Sequence, residues 1–403
     1  MAIVRRFLNT SKLVNISLNI TLLLLAVGAA LLVGSVMIML MDADPIKAYQ
    51  ALYEGAFGTT NSRAETLVKA TPLLFVGIGI CVAFRGGVIN VGGEGQMIIG
   101  ALAGVWIALS LDTVPRFIEN VPINDFPQIT VVTLSLLAGF LAGALWGGIA
   151  GVLKAYFGVN EILSTIMLNQ IALQLMNYLL NGVLLDPEQK DRVNRIPKTA
   201  RIEEHAKLPR IDWFSDTPTR LHAGLIVGLA LAVVVYILLW RTTLGYRIRA
   251  VGQSDRASRY AGINVKRQVL YSILISGGCA GLAGAVQVIG LQYRLQTDGS
   301  AAGFTGNAGF NGIVAALFGG LHPVGTIPAS VFFGALLIGA QSIQREVQVP
   351  ASLITTLNGL VVIFVVSTQI FTKRLTKRRA SVPPQPTPAT PKSLPALQEE
   401  AAK

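Results

Sequence analysis

Long apolar runs separated by short polar stretches fill the chain. Ten of them reach or approach the roughly 18 to 20 residues that a helix needs to cross a bilayer. They are Ile16–Leu40, Leu67–Phe84, Val88–Leu111, Ile129–Leu153, Ile162–Leu184, Leu221–Trp240, Val269–Leu291, Phe304–Gly320, Val324–Gln341 and Leu353–Phe371. The first outruns the apolar core of a signal peptide and lacks a convincing cleavage site, so it is expected to remain as a helix. Leu67–Leu111 holds two spans joined only at Arg85-Gly86-Gly87. At about 20 residues per span this is barely enough, so one or both helices are expected to be broken or re-entrant. The expected fold is an all-α polytopic membrane protein of about ten transmembrane helices, with broken segments and two pseudo-repeated halves. A transmembrane domain covers 1–380, and the proline-rich stretch 381–403 reads as a disordered tail.

Composition removes the competing classes. Only 13% of residues are charged, against about 25% in a soluble domain. So much apolar surface is incompatible with disorder. The two cysteines, Cys81 and Cys279, sit inside apolar runs and read as packing residues, not as a disulfide framework. The net charge of +12 gathers in three places. These are Arg5, Arg6 and Lys12; the loop from Arg241 to Arg267; and Lys373 to Arg379 after the last span. Basic clusters flanking apolar spans place those segments, and both termini, in the cytoplasm and exclude a nucleic-acid footprint. The stretch from Leu185 to Arg220 then lies outside, although it holds many basic residues; its acids nearly match them.

No catalytic constellation appears, and no enzyme is expected. His205, His222 and His322 lie far apart and form no metal-ligand pair, and no Walker phosphate loop is present. Chemistry is confined to three segments. FRGGVINVGGEGQMIIG, Phe84 to Gly100, sets Arg85, Asn90, Glu94 and Gln96 among glycines between apolar runs. Glycine frees the backbone to leave helical geometry, and a charge within the membrane faces a polar path or a partner. The segment therefore either lines a path through Asn90, Glu94 and Gln96, or is a turn in which Arg85 and Glu94 pair. GFTGNAGFNGIVAALFGGLHPVGTIPAS, Gly303 to Ser330, is a second interruption, with Thr305, Asn307 and Asn311 as neutral polar groups. Paired interruptions point to a solute site at a repeat interface; tight packing of small residues is the other reading. In the basic loop, Asp255 suits the first turn of a short helix reaching about Tyr260, and Gly262 suits its C-terminal cap.

Together, VINVGGEGQ at Val88–Gln96, GVNEILSTIMLNQIA at Gly158–Ala172, TLGYRIRAVGQSDRASRYAGI at Thr243–Ile263 and GFNGIVAALFGGLHPVGT at Gly309–Thr326 carry a resemblance. The chain resembles permease subunits of bacterial ABC importers of the ribose and branched-chain amino acid type, most closely the nucleoside branch. The resemblance covers all but the tail. It implies a coupling loop, 241–268, docking on a separate ATPase through Asp255, Arg256, Ala257, Ser258 and Gly262. Arg256 stands where the family pattern has glutamate. It further implies a second permease, usually a paralogue, and a periplasmic or lipoprotein solute-binding protein. No cofactor is expected in this chain, since ATP and Mg belong to the ATPase. The site is the bacterial inner membrane, among lipid. Ribose-type sugar import and an ion-gradient secondary transporter are the alternatives. The second would need more intramembrane acids than Glu94 and Glu161. Glu161 reads as a residue at the start of its helix.

Overall fold

Short polar side chains set where the helices begin. In the computed structural model the Asp44 carboxylate accepts from Ile46 N ahead of α2 (Pro45–Tyr53), and Thr59 Oγ1 accepts from Ser62 N ahead of α3 (Thr60–Arg85). Asn160, Thr242, Ser254 and Asn264 do the same for α6 (Glu161–Asn181), α8 (Thr243–Gln253), α9 (Asp255–Tyr260) and α10 (Val265–Gln287). Each cap satisfies a backbone N–H that the first turn leaves without a partner. The remaining helices are α1 (Val27–Met39), α4 (Gly93–Thr113), α5 (Gln128–Phe157), α7 (Gly224–Arg241), α11 (Ala301–Thr305), α12 (Ala308–Phe318) and α13 (Pro323–Glu346).

The structure describes residues 27–113, 127–190, 192–211 and 218–350, with isolated positions near either end. Most of the expected span Leu353–Phe371, the start of Ile16–Leu40, both terminal basic clusters and the tail 381–403 lie outside the described residues. Residues Val33–Leu360 form one compact unit, which holds every helix from α2 on; Met1–Leu32 with Val361–Lys403 form another, helical at its few described positions.

Among the described residues the architecture is helical, with two isolated antiparallel bridges, Lys198 with Gln296 and Arg210 with His222. Among the described residues, six helices are long and apolar enough to cross a membrane: α3, α4, α5, α7, α10 with its π-helical end at Gln292, and α13. α6 has the length, but Asn169, Gln170, Gln174 and Asn177 dilute its apolar character. The expected span Phe304–Gly320 is corrected: it is divided at Gly306 and Asn307, both left-handed with φ of 60°. Two consecutive left-handed residues cannot continue a right-handed helix. The helix beyond this break, α12, has 11 residues, a rise of about 16 Å, or half a bilayer core. The expected span Val88–Leu111 also starts late, because the helix begins only at Gly93. α3, by contrast, runs unbroken through Pro72.

α3 and α10 are the most enclosed helices, whereas α5 and α7 leave most of their sides open. The outward face of α5 carries Leu134, Leu137, Leu141, Leu145 and Ile149 at helical spacing. An apolar stripe turned outward is the pattern for a lipid-facing helix. The inward face of α5 is glycine, and it meets glycines of α4 and α10 backbone to backbone. Cys81 and Cys279 are buried packing residues, as the sequence indicates.

Some of the charges between Leu185 and Arg220 are paired. Asp186 pairs with Lys198 at 3.8 Å, Glu204 with Lys207, and Arg220 with Glu65 of α3 at 3.5 Å. The segment is strapped to the chain after α10 by Thr199 N to Leu295 O, Ile202 N to Tyr293 O and Leu208 N to Ile289 O.

Candidate functional site

α3 ends at Arg85, and the chain does not turn directly into the next helix. Residues Val88–Val91 are non-helical, and the start of α4 returns along α3. A methyl group on Gly93 would sit 3.3 Å from Val76 Cγ1 and 3.2 Å from Gly309 Cα. Val76 precedes Arg85 by two and a half turns, roughly 13 Å along α3. α12 provides an independent ruler. It starts against Gly93, and just past its far end Arg85 donates from Nε to Leu321 O at 3.0 Å and from Nη2 to Gly320 O at 3.4 Å. Its rise of about 16 Å agrees. The N-termini of α4 and α12 therefore meet well inside the bundle, beside Glu94.

Glu94 is 2% exposed. Its Oε1 accepts from Phe310 N, in the first turn of α12, at 3.2 Å. A methyl on Gly309 would lie 2.8 Å from the same oxygen, so only glycine admits the carboxylate here. The free N–H groups and dipole of α12 favour a negative charge at this spot. Oε2 is enclosed and has no hydrogen-bond partner among the described residues. Thr305 stands beside the carboxyl, but its hydroxyl donates to Ala301 O at 2.9 Å. The alternative in which Arg85 and Glu94 form an ion pair is overturned, since Arg85 is committed to the α12–α13 turn, roughly 13 to 16 Å away.

Asn90 and Gln96 are brought together and fully occupied with each other. Asn90 Nδ2 donates to Gln96 Oε1 at 3.0 Å and to Ser276 Oγ at 2.9 Å. Asn90 Oδ1 accepts from Gln96 Nε2 at 3.1 Å and from Gly92 N at 2.9 Å. Asn169 of α6 extends this brace: its Oδ1 accepts from Gly95 N at 2.8 Å and its Nδ2 donates to Val91 O at 3.0 Å. These side chains supply the hydrogen bonds that the broken backbone lacks, which a chain inside a membrane requires. Asn307 is exposed and Asn311 half-buried. The expected set thus divides into the buried Asn90, Glu94 and Gln96 and a less buried pair, Asn307 just before α12 and Asn311 in its first turn.

Sequence alone does not single out Asn169 or Ser276. The only signal is a polar residue within an apolar helix, which does not say what it touches. Asn169→Ala is expected to lower the stability of the solubilised protein by about 1–3 kcal/mol, since it leaves a buried N–H and a buried carbonyl unpaired. A thermal melt followed by tryptophan fluorescence would show it, and an unchanged midpoint would remove Asn169 from the brace.

The basic loop forms two helices. α9 spans the expected residues, with Asp255 in its first turn and Gly262 left-handed at φ 74°. Asp255, Arg256 and Ala257 are exposed and Ser258 is buried. The Ser254 cap and all of α8 are additions from the structure. Between α8 and the start of α10 lies a pocket of about 650 Å³ lined by Tyr246, Arg247, Arg267 and Tyr271.

Residues 62–366 match the family model described as branched-chain amino acid transport system / permease component. The chain is 36% identical to the guanosine ABC transporter permease protein NupP of Bacillus subtilis (strain 168), over 85% of this chain and 92% of that one. It is 33% identical to the glucose ABC transporter permease protein TsgB13 of Haloferax volcanii, over 86% and 87% respectively. A second guanosine permease protein of the same Bacillus strain, NupQ, is 31% identical over 67% of this chain and 78% of its own length. No solved structure matches.

Proposed function

Because this chain belongs to the family of branched-chain amino acid transport system permease components, and is thus the transmembrane permease subunit of an ABC importer, we propose that its solute is a nucleoside. The observation that carries the reading is the 36% identity to a guanosine permease along nearly the whole of both chains. The chemistry of the site agrees with it. A nucleoside offers neutral hydroxyls and amides, and Glu94 Oε2 is an enclosed acceptor without a donor among the described residues. Asn307 and Asn311 can both donate and accept. With Arg85 at the membrane boundary, Glu94 lies near the midplane, where broken helices present their N-termini in transporters.

The path runs past Glu94, Asn307 and Asn311, and Asn90 with Gln96 hold its backbone from behind. The chain is one of two permeases, the other a paralogue, as two guanosine permease proteins in one Bacillus strain suggest. A separate ATPase, which uses ATP and Mg, docks on Asp255, Arg256, Ala257, Ser258 and Gly262. A periplasmic or lipoprotein binding protein delivers the solute. The complex sits in the bacterial inner membrane with both termini of this chain in the cytoplasm. The full chain makes about ten crossings in two related halves, the one at 304–320 in two pieces divided at Gly306 and Asn307.

Sugar import is the second reading, favoured by the 33% identity to a glucose permease. Uptake of labelled guanosine by cells producing the complete transporter decides between them. Unlabelled adenosine or guanosine in modest excess is expected to reduce uptake by about tenfold, with glucose and ribose without effect. Saturable glucose uptake that guanosine does not inhibit would replace the nucleoside reading with the sugar reading.

A further inference from the structure

Trp240, at the end of α7, is the centre of a cluster that no solute path or docking surface uses. The Cζ atoms of Arg85 and Arg249 lie 5.5 Å and 5.6 Å from its ring centroid. Both are within the range in which a guanidinium is attracted to an indole face. Tyr236 stacks on the ring at 5.4 Å, and His322 lies 4.6 Å away. Arg249 Nε is buried without a hydrogen-bond partner among the described residues, so the ring is the attraction the structure provides for that edge of the group. The His322 imidazole is held below its ordinary pKa by burial and then by Arg85.

The groups come from four elements. Arg249 belongs to α8, Trp240 to α7 and Arg85 to the end of α3; His322 immediately precedes α13. α8 also touches the end of α3 directly, where a methyl on Gly252 would collide with Arg85 O and lie 2.8 Å from Gly87 N. Arg85 in turn holds the carbonyls of Gly320 and Leu321. Leu321 is left-handed, with φ of 54°, a conformation that costs a non-glycine residue energy and persists only when its surroundings hold it. That turn ends α12, whose other end carries the Glu94 contact.

We propose that Arg85, Trp240 and Arg249 form the joint that transmits displacement of the ATPase-facing helices α8 and α9 to the α12–α13 turn, and through α12 to Glu94. The inference rests on the reading of 241–268 as the ATPase-docking loop. In this arrangement Trp240 is a positioning residue. It ties α8 to Arg85, so a push on α8 shifts the strained turn instead of dissipating within α7 and α8.

The test uses the complete transporter in liposomes, with ATP hydrolysis and solute entry measured on the same preparation. Trp240→Ala is expected to keep the ATPase bound and hydrolysing, while solute moved per ATP falls about tenfold. Trp240→Phe, which keeps an aromatic face, is expected to restore most of that ratio. Arg249→Gln is expected to lower it in the same direction and decides the matter if Trp240→Ala does not assemble. A wild-type ratio in every assembled variant of these two positions overturns the joint. The docking reading is checked separately with Arg256→Ala and Arg259→Ala together on α9. If this double variant still retains a fully active ATPase, the docking reading has failed. If it sheds the ATPase while Trp240→Ala and Arg249→Gln stay coupled, only the joint has failed.

Discussion

Gly281→Leu is expected to leave no folded permease. A methyl at Gly281 already collides with Gly139 O of α5 and lies 2.7 Å from Gly143 Cα. The contact is reciprocal, because a methyl on Gly100 of α4 would collide with Gly281 O, and one on Gly143 would lie 2.6 Å from Gly281 Cα. All the opposing atoms are backbone, so no rotamer change relieves the clash, and three helices would have to separate. Overpacking in a close-packed interior costs about 1–3 kcal/mol where neighbours can yield. Here they cannot, and a leucine adds further atoms to a gap that has no room for the first. Against a total stability of roughly 5–15 kcal/mol, the expected loss is most or all of the fold. Size-exclusion chromatography of a fluorescently tagged chain in mild detergent would show it as loss of the monodisperse peak. Leu145→Ala on the open face of α5 should leave that peak in place, because Leu145 is 70% exposed on the outward side of the bundle. A normal peak and melting point for Gly281→Leu would mean that α4, α5 and α10 do not cross at these glycines.

Glu94→Ala is expected to reduce uptake by about a hundredfold, with the complex still assembled. Two effects act together. The part-buried N–H of Phe310 loses its acceptor, which costs about 0.5–3 kcal/mol. The acceptor oxygen proposed to meet the solute is also removed. Glu94→Gln separates them, because an amide oxygen can still receive Phe310 N while the negative charge is gone. Its uptake is expected to fall between wild type and Glu94→Ala. Full uptake by an assembled Glu94→Ala transporter would take Glu94 out of the path and leave it as a helix cap alone. Equal losses in both variants would assign the effect to the charge and not to the α12 contact.

Much of this architecture is written locally in the chain. Apolar run length specifies membrane helices, because an unpaired peptide group inside a bilayer is too costly for any open structure. Caps and breakers specify several ends: Asp255 and Gly262 bracket α9, and Glu161 opens α6, paired with Lys154 at 2.8 Å. The glycine-rich interruptions at Phe84–Gly100 and Gly303–Ser330 mark where the backbone leaves the helix. The ordered set of motifs, more than any single residue, marks the family.

What the chain does not disclose is what each freed backbone meets. Asn90 reads as a path residue from its apolar surroundings, yet its partners are Gln96 nearby and Ser276 far along the chain. Arg85 and Glu94 read as a close pair from their spacing. A stretch outside the helix is not held to the helical rise of about 1.5 Å per residue, so Val88–Val91 can carry them apart. Phe304–Gly320 reads as a span by length, until two left-handed residues divide it. Sequence determined the solvent each segment needs and where helices begin and end, because those depend on residues within a few positions of one another. Only the tertiary structure decided that two helix N-termini converge on one carboxylate, and that Trp240 gathers two arginines. Those contacts join segments remote in sequence, and nothing in a local pattern encodes which of many apolar surfaces will close on which.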